Sequence, residues 1–394
     1  MTTRMILSLA GLSAASSLAC AQSMDQSRAF ANELYSDSAS RVSALDQGAK
    51  VFAPKFGGIM VTRYNWNQVN NVPTGTPASA QGLQMAYMKL TATGNVIDEA
   101  WSYGFQFKFN EFDGLAVLDD AWTMLKFEDQ WNLKWGQFKM PVLREENISD
   151  GKQLAANRSP TNSVFTAGRS QGVLLTYAAD DVRAMVGFGD GLRTNNTDYT
   201  STTEADWALT GRAEYKWQGE WKQYDEFTAW RDAKYFGAVG GAVHYQSGGR
   251  TVGTVESRTL LTTVDVMAKG NGWNAYAAAI YRNITPGGSA LATDDIGFLA
   301  QLGAFVGPKW ELFGRYDVVV PDKNRTASHS FNSITLGANR YVIPESDAAK
   351  FTVDVIWMID KQNAGIVGAS TLTGVRASGG ANQVALQVQF QLLF

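Results

Sequence analysis

One cysteine and two histidines in 394 residues leave little material for redox or metal chemistry. Cys20 has no disulfide partner, and His244 with His329 cannot make up a His/Cys zinc set. Charge of one sign is lacking too. Lys and Arg total 34 against 37 Asp and Glu, a net charge of −3, without the basic footprint that nucleic-acid binding requires. Beyond residue 21, no apolar run approaches the ~18 residues of a membrane-spanning helix. If such a chain lives in a bilayer, it must do so as a closed β-barrel.

What the chain does have is 38 Gly and a 12% aromatic content that includes 12 Trp, a profile of strands and turns. The first residues read as an export signal. Arg4 supplies the positive start, Ile6 to Leu18 the apolar core, and Ala19-Cys20-Ala21 a small-residue cleavage site before Gln22. Cys20 also raises a lipoprotein reading, against which Ser17 stands where an aliphatic residue would be expected. Residues 22–50 follow as an amphipathic, coiled-coil-like helical segment, with Phe30, Leu34, Val42 and Leu45 at helical spacing. Either it packs on itself or its copies, or it is a tether in the periplasm.

From Phe56 the period becomes two. Trp101, Tyr103, Phe105, Phe107 and Phe109 alternate with Ser102, Gly104, Gln106, Lys108 and Asn110, and the same pattern recurs to the carboxyl terminus. The alternating segments fall at 56–66, 82–92, 100–110, 118–128, 131–139, 171–179, 182–190, 205–217, 235–246, 257–269, 272–283, 294–306, 308–318, 332–342, 349–360 and 382–394. Soluble strands usually run to about 5–6 residues. These are long enough to cross a bilayer when tilted. Tight connections such as Asp129-Gln130 and Asp180-Asp181 alternate with long ones, the asymmetry of an outer-membrane barrel. The exception is 218–234, too long and too charged for the side of the tight turns.

The predicted fold is therefore all-β: a sixteen-stranded antiparallel transmembrane barrel over 51–394, preceded by a short helical segment. Trp66, Trp101, Trp131, Trp217, Trp273, Tyr281, Trp310 and Tyr341 fall near strand ends, where rings sit at headgroup depth against outer-membrane lipid, although any antiparallel sheet is rich in aromatics. The alternating strand that stops on Phe394 looks like the signal that such barrels present to their assembly machinery.

Trp135-Gly136-Gln137-Phe138-Lys139-Met140-Pro141, Glu145-Glu146, Asn157-Arg158-Ser159 and Phe165-Thr166-Ala167-Gly168-Arg169-x-x-Gly172 resemble the phosphate-selective porin O and P family over about 40 residues. The resemblance implies a sixteen-stranded barrel, generally trimeric, whose third outer loop folds inward to narrow the pore. By it, 140–170 is the constriction loop. Lys139, Arg144, Lys152, Arg158 and Arg169 then face small anionic solutes, against Glu145, Glu146 and Asp150. Arg158 and Arg169 stand out, because they lie in the motif and guanidinium suits oxyanions. Polar-face Lys108, Lys134, Arg183, Arg212, Lys216, Arg282 and Arg315 extend a cationic path, or else form ion pairs that steady the wall. The family's strongly phosphate-selective members carry a dense arginine ladder and a lysine cluster. Mixed lumen charge here points to a passive channel that leans to anions, with phosphate one candidate.

Two rival readings remain. Gly168-Arg169-Ser170-Gln171-Gly172 satisfies the G-x-S-x-G pattern of hydrolases, but it runs from loop into strand instead of forming a strand-to-helix elbow. Gly187-Phe188-Gly189-Asp190-Gly191 reads as a strand end and not as a phosphate cradle. The sequence thus predicts no catalysis, cofactor or metal. The other rival is a structural anchor that holds the cell envelope through 24–45.

Overall fold

A computed structural model describes residues 54–70, 77–109, 114–202, 204–248, 257–325, 328–362, 366–368, 374, 376 and 380–394. The expected signal (1–21) and helical segment (22–50) lie outside the described residues. Residues 54–95 and 100–394 form one compact unit.

The described residues contain sixteen strands: β1 Lys55–Gln68, β2 Ser79–Val96, β3 Asp98–Phe109, β4 Ala116–Lys126, β5 Trp131–Lys139, β6 Arg169–Ala178, β7 Val182–Gly189 and β8 Trp207–Gln218 make the first half. The second half is β9 Phe236–Gly248, β10 Ser257–Gly270, β11 Trp273–Thr285, β12 Thr293–Phe305, β13 Trp310–Val320, β14 Phe331–Tyr341, β15 Ala349–Met358 and β16 Gln383–Leu393. Each pairs with its sequence neighbour, and β1 closes on β16 from Ile59 opposite Leu393 to Gln68 opposite Val384. Closure leaves no open edge, which the hydrocarbon interior demands.

Side-chain placement follows the period of two and is inverted relative to a soluble sheet. In β15, Phe351, Val353, Val355 and Trp357 are exposed on the outer wall, while Lys350, Thr352, Asp354 and Ile356 are buried within. In β8, Trp207, Leu209, Tyr215 and Trp217 face out, while Thr210, Arg212, Glu214 and Lys216 face in. An apolar exterior around a polar interior is stable only where lipid replaces water outside. The chain closes at its end: Phe394 N donates to Gly58 O (3.1 Å), Gly58 N donates to Phe394 O (2.7 Å), and the Phe394 ring stays exposed.

Two of the connections fold well into the barrel. The first, 140–168, carries helix α1 Arg144–Asn147, a 3₁₀ turn Asp150–Lys152 and helix α2 Pro160–Phe165. Its backbone is held by inward-facing wall side chains. Arg63 on β1 donates to Ala156 O (2.8 Å), Arg315 on β13 to Asn157 O (2.9 Å), Asn339 on β14 to Leu154 O (3.0 Å) and Lys350 on β15 to Gln153 O (2.8 Å). Asp354 accepts from Ala156 N (2.8 Å). Wall glycines give the loop room. A Cβ on Gly297 of β12 would stand 2.5 Å from the Phe165 ring and 2.8 Å from Thr161 Cγ2.

The second connection, 219–235, answers the anomaly in the sequence pattern. It lies at the end of the tight turns, yet it folds back into the barrel through a 3₁₀ turn Trp221–Asp225. Tyr224 and Phe227 are fully buried there. They pack with Ile148 and Leu154 of the first connection and with inward-facing Phe236, Met267, Tyr276, Leu299 and Phe313. A large share of the lumen beside β9–β13 is therefore an apolar core, each large side chain contributing about 1.5–3 kcal/mol of burial.

Candidate functional site

The wall of β2–β5 carries a set of charged side chains facing the inward loop. Between it and the inward loop lies a cavity of about 390 Å³, bordered by Lys89, Lys108, Lys139, Arg158 and Arg169 and by Asp119, Glu146 and Asp150. Lys89 Nζ reaches Asp150 at 2.7 Å and Asp119 at 3.1 Å. Arg169 binds Asp120 through two nitrogens (2.9 and 3.0 Å) and Asp119 at 3.2 Å. Arg158 pairs with Asp150 and donates to Ile148 O (2.6 Å) and Glu145 O (3.2 Å). Lys139 donates to Glu146 O (2.7 Å) and adds its charge to those acting on Asp150. Burial works to raise the Asp150 carboxyl, but Arg158, Lys89 and Lys139 outweigh it and hold it well below its ordinary value. It stays an anion and clasps the loop to the wall.

The motif residues are positioned by the loop's own hydrogen bonds. Glu145 accepts from Ser159 N and Ser159 Oγ, both at 2.7 Å, and Ser159 Oγ in turn accepts from Asn162 N (2.9 Å), capping α2 ahead of Pro160. Glu146 accepts from Ala167 N (2.8 Å), Gly168 N (2.9 Å) and the Thr166 hydroxyl. The two adjacent glutamates thus tie down the Arg-Ser step and the Ala-x-Gly-Arg exit. Gly136 has φ 121°, and a Cβ there would stand 2.2 Å from Ala121 O. Gln137 donates to Asp119 O (2.9 Å) and accepts from Asn196 N (2.7 Å), clipping the β7–β8 connection to the wall.

Of the residues singled out in the sequence, Lys108, Lys139, Arg158 and Arg169 meet at this cavity. Arg144 and Lys152, from the same loop, point to the second connection. Arg144 stacks on Tyr224 at 3.9 Å and binds Tyr224 O and Asp225 (3.1 Å), and Lys152 lies 3.7 Å from Glu226. Arg212 is locked to Glu214 (2.7 Å), to Asp265 (2.8 and 2.9 Å) and to the Tyr224 hydroxyl (3.2 Å). Arg183 pairs with Glu214 (2.9 Å) over the Trp221 ring, and Lys216 with Asp181 (3.1 Å). Lys134 lies over the Trp122 and Phe138 rings, at 4.4 and 4.7 Å. Arg315 braces Asn157 O and lies 3.8 Å from Glu145, while Arg282 holds Asp295 (2.9 Å) and Val164 O (2.7 Å). These eight steady the wall or the loops.

Sequence reasoning missed Lys89 and Arg63. Lys89 interrupts the outward apolar pair Met88 and Leu90, a period-two signal that was there to read. Arg63 shares a face with buried Ile59 and Val61, so its position resembles apolar core. The hydrolase-like pattern lies at the start of β6, where buried Ser170 pairs with Phe138 across the sheet.

A closed membrane barrel narrowed by a loop drawn into its own lumen, with a charged cavity left beside that loop, has the build of a porin. The chain belongs to the family described as phosphate-selective porin O and P, whose sequence pattern matches residues 61–281, from β1 through most of β11 and including the inward loop. It is an outer-membrane porin. Comparison with curated proteins finds no significant match. Among solved structures, the fold is similar to the anion-selective porin from Comamonas acidovorans, at 13% identity and TM-score 0.61 over 87% of this chain and 100% of that one. It is also similar to OmpT of Vibrio cholerae in a trimer form, at 10% identity and TM-score 0.57 over 88% and 100%. Salmonella typhi OmpF, in complex with daunomycin, aligns at 15% identity and TM-score 0.57 over 86% and 97%.

Proposed function

We propose that this porin is a passive diffusion channel with a weak preference for anions, acting as a homotrimer and without catalysis or a cofactor. The observation that carries the reading is the charge of the passage: five basic side chains against three acidic ones along its border, with Asp120 behind Arg169 as a fourth. In a narrow passage between low-dielectric walls even a small excess of one sign is felt strongly. Because most of the cations are already paired, the excess is modest. Inorganic phosphate is one permeant anion among several. Residues 1–21 act as the cleaved export signal, 22–50 as a helical segment ahead of the barrel, and the exposed Phe394 ring as the mark read by the assembly machinery. The Comamonas porin is named anion-selective and the Vibrio protein a trimer form, which supports the same reading by likeness of fold.

Zero-current potentials in planar bilayers under a KCl gradient test it. The wild-type channel is expected to favour chloride, and Lys108→Glu, which changes the passage by two charges, to favour potassium. Phosphate added to the outer side is expected to reduce chloride current. Potassium preference in the wild-type channel would refute the anion reading.

A further inference from the structure

Ser163 and Thr166 border a second cavity as well as the passage. This cavity, about 450 Å³, is formed by the loop-side ends of β9–β11 with Leu192 and Arg193 of the β7–β8 connection and Ile366 of the β15–β16 connection. Its chemistry differs from that of the passage. No carboxylate lines it among the described residues, and its cations are Arg193 and Arg282. Arg282 shares its carboxylate, Asp295, with Arg325, so two guanidinium groups have one counter-charge between them. Arg193 is exposed and, among the described residues, its side chain donates from Nε to Thr166 O (3.3 Å), with its terminal nitrogens directed to no other described group. The rest of the border is mixed: Leu192, Ile284 and Ile366, with the buried Val164 and Phe165 behind them, beside Ser163, Thr166, Gln246 and Thr259.

We infer that this cavity is a capture site for organic monoanions with an apolar body, such as aromatic carboxylates, held before they enter the passage. The Arg193 fork, with the positive charge of Arg282 nearby and Leu192, Ile284 and Ile366 beside it, matches a carboxylate joined to a ring, because the fork pairs with the oxygens and the ring covers the apolar part of the border. A small hydrated inorganic anion gains from the arginines alone. The inference rests on the porin reading, and it adds the class of solute that the outer chamber selects.

Single-channel KCl current with benzoate, acetate or benzylammonium added on the outer side tests it. Benzoate is expected to interrupt the current at concentrations about tenfold lower than acetate, the ratio that burial of part of a ring supplies. Benzylammonium, with the same ring and the opposite charge, is expected to have no such effect. Arg193→Gln should weaken the block by both carboxylates, and Ile284→Thr should narrow the gap between them. Equal potency of benzoate and acetate, or block unchanged in Arg193→Gln, overturns the capture site. Chloride preference with no benzoate discrimination overturns it while leaving the charge of the passage intact. Benzoate discrimination in a potassium-preferring channel sustains it and refutes the anion-leaning passage instead.

Discussion

Tyr224 is the pin that keeps the 219–235 connection inside the barrel, so Tyr224→Ala is the sharpest perturbation of the lumen. The ring is fully buried, lies under the Arg144 guanidinium at 3.9 Å, and its hydroxyl donates to Asp265 (2.6 Å). Truncating a buried aromatic side chain costs about 3–5 kcal/mol. At about 1.4 kcal/mol per tenfold, the undocked population of the connection rises roughly a thousandfold. Tyr224→Phe keeps the ring and the stacking. It loses the hydroxyl's bond to Asp265 and the one accepted from Arg212, about 1 kcal/mol net, because Asp265 and Arg212 stay bonded to each other twice. Its expected effect is therefore within about tenfold. Amide exchange reads the difference: Phe227 N donates to Lys152 O (3.4 Å) only while the connection is docked against the loop. The Ala variant should lose protection at Phe227 and show larger, noisier conductance, and the Phe variant should stay close to wild type. Wild-type protection and conductance in Tyr224→Ala would refute the claim that this segment fills the lumen, as would equal losses in the two variants.

Three other outcomes follow from the same contacts. Glu146→Gln replaces a carboxylate that accepts three hydrogen bonds with an amide that has one acceptor oxygen, and at about 1–3 kcal/mol per unsatisfied group the loop exit should loosen, read as added current noise. Glu226 sits in the 219–235 connection, where burial raises its carboxyl above the ordinary 4.5 against the pull of Lys269 and Lys152. An acid with a raised value in the folded protein binds its proton more readily there than when released. Docking should therefore strengthen as pH falls from neutrality through that raised value toward 4.5, and Glu226→Gln should abolish the trend, both followed by exchange at Phe227. Gly136→Ala places a Cβ 2.2 Å from Ala121 O at φ 121°, and should lower the yield of folded barrel and its melting temperature in detergent.

Most of the barrel was legible because a membrane imposes the simplest of patterns. Every strand must alternate, and every lipid-facing side chain must be apolar, so Phe351 to Trp357 or Trp207 to Trp217 declare their faces without any knowledge of neighbours. The site was less legible because an inward face carries no such rule. Arg212 and Lys108 look alike in sequence, each a cation between apolar outward residues, yet one is bound to Glu214 and Asp265 and the other borders the passage. What separates them is which side of the lumen is dry. That depends on 219–235, whose length and charge marked it as irregular but gave no direction for Tyr224 and Phe227. Strand ends moved slightly for local reasons: β6 begins at Arg169 and not 171, because Arg169 already pairs with Lys139.

On the proposed reading, the apolar packing of the lumen is what lets a nearly charge-balanced porin lean to anions. Arg144, Arg183 and Arg212 are drawn to the side where Tyr224 and Phe227 pack, and there they meet Glu214, Asp225 and Asp265. Those charges cancel within a packed region that solute does not cross, so they do not count toward selectivity. The opposite wall keeps Lys89, Lys108, Lys139 and Arg169, and the inward loop adds Arg158, beside a smaller set of carboxylates. Selectivity then depends on the handful of groups along one wall and not on the total of the chain. Undocking the connection would expose the cancelled charges and widen the path together, so conductance should rise and anion preference fall in the same variants. A change in one without the other would mean that the packed region and the passage are independent.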